Sequence, residues 1–210
     1  MTAFLIADDH AVVRRGLRDI LMEAFSGAKI TEAKDSIEAT QLLSKQPFDL
    51  VLLDINMPGR SGLEVLEEAR RLRPETPVLV LSAYPEAEFA VRAFKLGAAG
   101  YLSKDRAPDE LLVAVKKILA GGKYVTASLA EKLAYALGGD LDQVPHDALS
   151  NRELQVLRLI ATGKTIKEIA AELSLSEKTV ATYRVRLADK LGLSTNVELA
   201  RYALQHRLVD

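Results

Sequence analysis

Five short apolar runs alternate with five longer amphipathic stretches in residues 1–121. The runs are Ala3–Ala7, a weaker one around Ile30, Leu50–Leu53, Val78–Leu81 and Gly100–Leu102. The stretches carry apolar residues at helical spacing, over Val12–Ala24, Ile37–Lys45, Leu63–Leu72, Glu86–Leu96 and Asp109–Ala120. Strands that alternate with helices form a parallel sheet covered by helices on both faces. The pattern predicts an α/β doubly wound fold with a five-stranded parallel sheet in a domain of residues 1–121.

The pattern changes after Gly121-Gly122. Residues 122–148 are expected to be a linker with a short helix over Ser128–Leu137, because Gly, Pro and acidic residues follow without periodicity. Residues 149–210 show four short helical patterns and predict an all-α four-helix domain. These patterns are Arg152–Ala161, Lys167–Leu173, Glu177–Leu191 and a last helix from Asn196. Ser36, Ser61 and Asn196 are the expected helix caps.

The composition excludes several classes of protein. The chain has no cysteine, so disulfides and thiolate metal sites are excluded. No apolar run approaches the ~18 residues of a membrane-spanning helix. The amino terminus has no basic flank and reaches a double acid after a short apolar run, which is typical of a buried strand and not of a signal peptide. We therefore expect a cytoplasmic protein without a membrane partner.

The charge is distributed unevenly along the chain. The formal net charge is −1, which taken alone argues mildly against a nucleic-acid partner. Residues 124–149 carry one basic and four acidic residues, whereas residues 150–210 carry ten basic and seven acidic ones. The excess of positive charge therefore lies in the carboxy-terminal domain.

Polar residues end four of the predicted strands. Asp8 and Asp9 follow the first run and Asp54 the third, while Ser82 and Ser103-Lys104 follow the fourth and fifth. In a doubly wound sheet such residues meet at one edge, where ligands bind. Clustered carboxylates repel one another unless a cation lies among them, and Mg2+ prefers oxygen ligands. We expect a Mg2+ site at which Asp54 acts as a nucleophile toward a phosphate, with Lys104 and Ser82 holding the phosphoryl oxygens. The alternative for any single acid is a solvated or helix-capping role.

Four motifs resemble those of two-component receiver domains. They are IADDH at 6–10, LDINMPGRSGLE at 53–64, LSAY at 81–84 and LGAAGYLSK at 96–104. The resemblance implies a flavodoxin-like fold, phosphorylation of Asp54 by a sensor histidine kinase, and a metal held by Asp8, Asp9, Asp54 and the Asn56 backbone carbonyl. It also implies that Tyr101 reorients on activation. Asp105 replaces the proline that many receivers have after the lysine, so we expect a trans peptide bond there.

The segment 165–191 has the spacing of a helix-turn-helix, with a basic second helix. Residues 149–204 are similar to the LuxR-type helix-turn-helix of the NarL/FixJ response regulators. The resemblance implies binding of double-stranded promoter DNA, with the second helix in the major groove. The expected DNA-binding residues are Thr165, Lys167, Lys178, Thr179, Ala181, Thr182, Tyr183, Val185, Arg186 and Lys190. Ala181 and Val185 cannot donate hydrogen bonds to bases but could contact a thymine methyl group.

Together these features predict a response regulator transcription factor and not an enzyme. The family resemblance implies a homodimer when the protein is phosphorylated or bound to DNA, with Asn196, Leu199 and Tyr202 on the dimer face. One alternative is a Mg2+-dependent aspartyl-phosphate phosphatase, although position 56 lacks the second acid that such enzymes commonly use. Another is a regulator that acts by protein contact. His10 is interpreted as a partly exposed residue at a helix start rather than a metal ligand, and His146 and His206 are assigned no role.

Overall fold

A computed structural model of the chain describes residues 1–57, 60–83, 86–126, 129–131, 145–206 and 208–209; at residues 86–88 and 147 the description covers the backbone only. The chain divides into two units, Met1–Gly139 and Asp140–Asp210. We refer to them as the sheet unit and the helical unit. The helix expected over Ser128–Leu137 lies largely outside the described residues. The part of this range that the structure describes, residues 129–131, is helical.

The sheet unit contains the five expected parallel strands. They are β1 Ala3–Ala7, β2 Lys29–Ala33, β3 Leu50–Asp54, β4 Val78–Ser82 and β5 Gly100–Ser103. Their order in the sheet is β2-β1-β3-β4-β5, and every neighbouring pair is parallel. This is the order of the flavodoxin-like fold, in which the connections change direction between β1 and β3. The predicted α/β fold is confirmed.

In the described part of the sheet unit up to residue 126, five helices connect or follow the strands. They are α1 Ala11–Ala24, α2 Ser36–Lys45, α3 Gly62–Leu72, α4 Glu86–Lys95 and α5 Ala107–Leu119. Helices α1 and α5 share one apolar cluster with β1, β3, β4 and β5. Right-handed crossovers place α2, α3 and α4 on the opposite face, because the chain then travels the other way across the sheet. The central strands are thus buried on both faces, which explains their continuous apolar sequences.

Gly62 lets α3 begin directly against the end of β3. Its amide donates a hydrogen bond to the Ile55 carbonyl oxygen over 2.9 Å. A β-carbon at this position would lie 2.0 Å from the Asp54 carbonyl oxygen and 2.7 Å from the Ile55 α-carbon. Because both neighbours are backbone atoms, they cannot move aside as a flexible side chain would. The sequence thus needs glycine at the point where the helix approaches the carboxyl end of β3.

In its described residues, 145–206 and 208–209, the helical unit contains a 3-10 turn, Pro145–Ala148, and four helices. These are α6 Asn151–Ala161, α7 Ile166–Glu172, α8 Glu177–Leu191 and α9 Asn196–Gln205. Helix α6 is central, since it contacts α7, α8 and α9. The other three helices contribute buried apolar residues, among them Ile169, Val180, Leu187, Leu199 and Ala203. The predicted four-helix domain is confirmed.

Two of the expected helix caps are wrong by one residue. Asp35, not Ser36, caps α2 by accepting a hydrogen bond from the Glu38 amide, and Ser36 is the first helical residue. Thr195, not Asn196, caps α9, and it forms a reciprocal capping box with Glu198. In each case two adjacent residues have side chains that can cap, and position relative to the helix decides between them. The expected cap at Ser61 is confirmed and also forms a capping box, with Glu64.

Candidate functional site

The sheet register brings the predicted carboxylates together. Ala7 on β1 lies opposite Leu53 on β3, so Asp8 and Asp54 follow at the same height on neighbouring strands. This is the place where the connections change direction across the sheet, which is where doubly wound folds bind ligands. Asp8 and Asp54 are buried, and Asp9 is 23% exposed. We call this group of three carboxylates the acidic rim.

Lys104 joins two carboxylates of the acidic rim. Its Nζ lies 2.7 Å from Asp8 Oδ2 and 2.8 Å from Asp54 Oδ2. The Lys104 amide also donates to the Ser82 carbonyl oxygen over 2.7 Å, which fixes the end of β5 beside β4. Burial alone would lower the pKa of Lys104, but the two carboxylates outweigh it and raise the pKa above its ordinary value. The side chain therefore stays cationic at neutral pH.

Asp54 is a buried carboxylate with donors on both oxygens. Burial raises the pKa of Asp54, and the negative charge of Asp8 adds to that effect. Lys104 on Oδ2 and the Asn56 amide, 3.0 Å from Oδ1, act in the opposite direction, although the net pKa remains raised. An anion held out of water by one cation and one amide has few solvent molecules to lose before it attacks an electrophile. Asp54 has the surroundings expected of a carboxylate nucleophile.

His10 lies at the acidic rim, next to the carboxylates. Its Nδ1 is 2.7 Å from Asp9 Oδ1 and 3.4 Å from Asp8 Oδ1. Potential ligand atoms of Asp8, Asp9, His10 and Asp54 all lie within 4.8 Å of one another. Carboxylate oxygens at such spacing suit a divalent cation that prefers oxygen, so these residues fit Mg2+. The imidazole is an addition to this donor set that the sequence interpretation did not assign.

Arg14 supports the loop that carries the acidic rim. Its Nη1 donates to the Asp8 carbonyl oxygen over 2.8 Å, and its Nε donates to Glu32 Oε2 over 3.0 Å. The guanidinium therefore ties the end of β1 to the neighbouring strand β2. The sequence interpretation missed this residue, since a basic residue in the first turns of an amphipathic helix is usually solvated.

Ser82 and Tyr101 lie on one face of the sheet. Val80 is the register partner of Tyr101, and Ser82 is the partner of Ser103. Because side chains alternate along a strand, Tyr101 points to the same face as Ser82 and Ser103. Both Tyr101 and Ser82 are fully buried. The structure thus places the predicted hydroxyl and aromatic residues two registers apart on neighbouring strands.

The peptide bond between Lys104 and Asp105 is trans, as expected.

Helices α7 and α8 form the predicted helix-turn-helix. Ser174 has a left-handed backbone conformation, with φ of 53°, in the turn between them. Val180 and Leu187 of α8 are buried, so this side of the helix packs against the rest of the unit. Most of the expected DNA-binding residues are exposed, while two are half-buried; the exposed ones are Thr165, Lys167, Lys178, Ala181, Thr182, Val185, Arg186 and Lys190, and the half-buried ones are Thr179 and Tyr183.

Several polar side chains of this motif already have partners within the unit. The Thr165 hydroxyl caps α7, and Thr182 Oγ1 donates to the Lys178 carbonyl oxygen over 2.9 Å. Lys190 Nζ lies 2.7 Å from Oε2 of the buried Glu153 and 3.1 Å from the Ala148 carbonyl oxygen. Lys190 therefore connects α8 to α6 and to the 3-10 turn. Among the basic residues of α8 that are expected to bind DNA, Lys178 and Arg186 are the ones that extend from its exposed face.

The expected dimer-face residues on α9 have different surroundings. Asn196 is exposed, and its Oδ1 accepts a hydrogen bond from Arg184 Nε over 3.0 Å. Tyr202 lies beside His146, whose Nδ1 is 3.0 Å from the Tyr202 hydroxyl oxygen. Leu199 is fully buried in the core of the helical unit, so it does not offer surface to a partner. The large apolar side chains that α9 does expose are Val197 and Leu204.

Within the residues that the structure describes, no helix has both the length and the apolar character needed to cross a bilayer.

Two family models match the chain, one in each unit. Residues 4–116 match the response regulator receiver domain, and residues 147–203 match the bacterial regulatory proteins of the luxR family. The chain is 35% identical to the response regulator UvrY of Escherichia coli (strain K12), over all of this chain and 97% of that protein. Both units therefore have relatives in one protein, in the same order.

Solved structures with a similar fold include complexes with DNA. RcsB from Salmonella enterica serovar Typhimurium, bound to promoter rprA in the presence of the phosphomimetic BeF3-, has a TM-score of 0.62 and 28% identity. The match covers 96% of this chain and 98% of that one. A structure of two RcsB dimers bound to two parallel DNAs has a TM-score of 0.58 and 27% identity, covering 96% and 97% of the two chains.

Proposed function

This chain belongs to the NarL/FixJ family of response regulators, and on that premise we propose that it is a transcription factor controlled by phosphorylation of Asp54. A sensor histidine kinase supplies the phosphoryl group, and the helical unit binds promoter DNA. One observation carries the proposal: a buried Asp54, held by Lys104 beside two further carboxylates, is on the same chain as a basic helix-turn-helix. Because its partners are a sensor histidine kinase and promoter DNA, we propose that the protein works in the cytoplasm, where the bacterial chromosome lies.

The residues of the acidic rim divide the work of phosphoryl transfer. One Asp54 carboxylate oxygen attacks phosphorus, while the bond from phosphorus to the kinase histidine nitrogen breaks and the nitrogen keeps its electron pair. Lys104, already at 2.8 Å from Asp54, is positioned to pair with the oxygens of the new phosphoryl group. Asp8, Asp9, Asp54 and the Asn56 carbonyl would hold Mg2+. When bound, Mg2+ offsets the charge of the carboxylates and of the incoming phosphoryl oxygens.

Ser82 and Tyr101 would connect the phosphoryl group to the surface of the sheet unit. Ser82 ends β4 and directly follows Leu81, the register partner of Asp54 on β3, and its hydroxyl is a suitable donor to a phosphoryl oxygen. Tyr101 lies on the same face of the neighbouring strand and is fully buried. A movement of Ser82 toward Asp54 changes the packing next to Tyr101, and a buried aromatic ring has few alternative positions. We propose this pair as the two-state element that phosphorylation biases.

DNA binding in the proposal depends on the exposed side of α8. Lys178 and Arg186 are exposed cations on this helix, and Val185 is 52% exposed next to them. Cations on a helix in the major groove contact phosphates, and an exposed valine can contact a thymine methyl group. RcsB, which has the same two-unit architecture, is bound to promoter DNA and forms dimers on DNA in its solved structures. We propose that this chain also binds DNA as a homodimer, with Val197 and Leu204 as the apolar contacts of α9 in place of the buried Leu199.

Labelling with an acyl phosphate tests the acceptor. We expect acetyl phosphate to phosphorylate the full-length protein in Mg2+, as measured by intact mass, and Asp54→Asn to abolish the mass increase. Asp19→Asn is the matched control, because Asp19 is an exposed carboxylate on α1 with a side chain that is 64% exposed. The control should label like the wild type. Labelling that survives in Asp54→Asn would place the acceptor elsewhere and contradict the proposal.

A turnover assay separates this proposal from the phosphatase alternative. A phosphatase of the aspartyl type uses a general acid near its nucleophile, and Asn56 cannot donate or accept a proton in that role. We therefore expect no sustained release of phosphate from a phosphomonoester, while acetyl phosphate still labels Asp54. Multiple turnovers that depend on Asp54 would support the enzyme instead.

A further inference from the structure

His10 lies at the acidic rim and occupies the N-cap position of α1, but its side chain does not cap the helix. It is the residue that precedes the first turn of α1, where Ser, Thr, Asp or Asn would cap the helix. The imidazole makes no capping hydrogen bond, and its backbone amide instead donates to Asp8 Oδ1 over 2.8 Å. Helix formation therefore does not explain a histidine here.

The imidazole and Lys104 approach the carboxylates through different oxygens. Lys104 contacts Oδ2 of Asp8 and of Asp54, whereas His10 Nδ1 lies nearest Asp9 Oδ1, with Asp8 Oδ1 at 3.4 Å. His10 therefore faces the side of the acidic rim that the ammonium group does not contact. Its side chain is 64% exposed, so the ring can rotate without disturbing the core.

A nitrogen donor changes which cations a site favours. Mg2+ prefers oxygen ligands throughout, while imidazole is a good ligand for first-row transition metals. The four residues can each supply one ligand atom within 4.8 Å of the others, so the imidazole needs no large movement to join the carboxylates around one ion.

We propose that His10 is a nitrogen ligand of the metal bound at the acidic rim, and that it makes the site favour first-row transition-metal dications over Mg2+. The inference rests on the proposed function, since it deepens the metal site of that proposal. Mn2+ or a related ion, as well as Mg2+, then supports phosphorylation of this chain. Metal binding would replace the close approach of His10 Nδ1 to Asp9 Oδ1, which are 2.7 Å apart.

Pulsed electron paramagnetic resonance on bound Mn2+ tests the ligand directly. The full-length, untagged protein is prepared with ordinary histidine and again with 15N-labelled histidine, and each sample receives Mn2+ below one equivalent. We expect echo modulation from a directly bound imidazole nitrogen, and we expect the modulation pattern to change with the isotope. A pattern that is the same in both samples means that no histidine binds the metal, which overturns the proposal.

Three single variants assign the nitrogen, because the chain has three histidines. His10→Gln should lose the modulation, whereas His146→Gln and His206→Gln, both in the helical unit, should keep it. In competition titrations, His10→Gln should lower the preference for Mn2+ over Mg2+ by about tenfold, as loss of a metal-site residue commonly does. Modulation that persists in His10→Gln, or an unchanged preference, contradicts the proposal.

The result is separable from a failure of the proposed function. If Asp54 is labelled in Mg2+ and Mn2+ binds without a nitrogen ligand, His10 only orients Asp9 and the inference alone is overturned. If Asp54→Asn does not reduce Mn2+ binding and is still labelled, the metal and phosphorylation site lies elsewhere, and both are overturned.

Discussion

At the level of single residues, Asp54 combines burial with charge compensation. Burial and Asp8 raise the pKa of Asp54, while Lys104 and the Asn56 amide lower it. The same pairing raises the pKa of Lys104 despite its burial. A buried carboxylate without a cation would be neutral or strongly destabilising. Lys104 therefore opposes the effect of burial and favours the anionic form of Asp54, which is the form that the proposed nucleophile needs.

Gly62 is expected to be intolerant of any side chain. In Gly62→Ala the new β-carbon would meet the Asp54 carbonyl oxygen at 2.0 Å, so α3 or the end of β3 must move. We expect a loss of at least about 1–3 kcal/mol in the free energy of unfolding, as for an overpacked core site. Urea unfolding measures it, and labelling of Asp54 should fall in the fraction that stays folded.

Gly16→Ala is the matched control for this prediction. Gly16 lies in the middle of α1, and a β-carbon there would have no heavy atom within 4 Å apart from the helix's own backbone. The same chemical change should therefore stabilise the protein by about 0.5–1 kcal/mol, since alanine loses less conformational freedom in a helix. Equal effects at the two glycines would contradict the account of Gly62.

At the level of elements, an ion pair connects α6 with α8. Burial by itself would raise the pKa of Glu153, but hydrogen bonds from Lys190 and from Ser150 outweigh it and lower the pKa below its ordinary value of 4.5. A lowered pKa means that the folded state favours the carboxylate. Its contribution to stability is thus present above pH 4.5 and is lost as the pH falls through the folded-state pKa.

Glu153→Gln should remove this pH dependence. At pH 7 we expect the helical unit to lose about 1–3 kcal/mol of unfolding free energy, because Lys190 loses its charged partner. On acidification below pH 4.5 the wild type should lose stability more steeply than the variant, so the two curves converge. Thermal unfolding followed across this range gives the curves, with Glu177→Gln on exposed α8 surface as control. Parallel curves would show that Glu153 is not ionised differently in the folded state.

Helix α8 should supply the salt dependence of DNA binding. Lys178→Ala combined with Arg186→Ala removes two exposed cations, so we expect weaker binding and a shallower fall of affinity with salt, by about one to two units of the logarithmic slope. Lys29→Ala with Lys34→Ala removes the same charge from the edge of the sheet unit and should leave both quantities unchanged. An unchanged affinity in the α8 variant would exclude this helix from the interface.

The strands were predictable to within about a residue where they are buried. Strands β3 and β4 are apolar on both faces, so their sequences are continuous apolar runs. Strand β2 gave only a weak signal, because it is an edge strand with an exposed Lys29 and half-buried residues. Its place in the sheet follows from the topology rather than from its own sequence.

Side-chain contacts that depend on the three-dimensional packing or on the local backbone were not predictable from the sequence. Glu153 and Lys190 are 37 residues apart, and their contact depends on how α6 and α8 pack. His10 and Asp9 are adjacent, yet their contact depends on the backbone between β1 and α1. The acidic rim was predictable, because strand ends of a parallel sheet meet at one edge whatever the details of packing.

At the level of the whole molecule, the net charge of −1 is the sum of two units with different charge distributions. The sheet unit keeps its functional charges inside, where Lys104 balances carboxylates. The helical unit exposes cations on α8 and carries more basic than acidic residues. A phosphoryl group adds negative charge to the first unit, and binding to DNA uses positive charge of the second. We therefore expect phosphorylation of Asp54 to change DNA binding through a change of conformation or of oligomeric state, since Asp54 is buried within the sheet unit.

The measurement that tests this coupling most directly is the affinity for DNA with and without phosphorylation. A duplex is first selected from a genomic or random library with the phosphorylated protein, and binding is then followed by fluorescence anisotropy at fixed salt. We predict that acetyl phosphate with Mg2+ changes the affinity of the wild-type protein and leaves that of Asp54→Asn unchanged. An affinity that is the same before and after stoichiometric phosphorylation, or a response that persists in Asp54→Asn, would contradict the account.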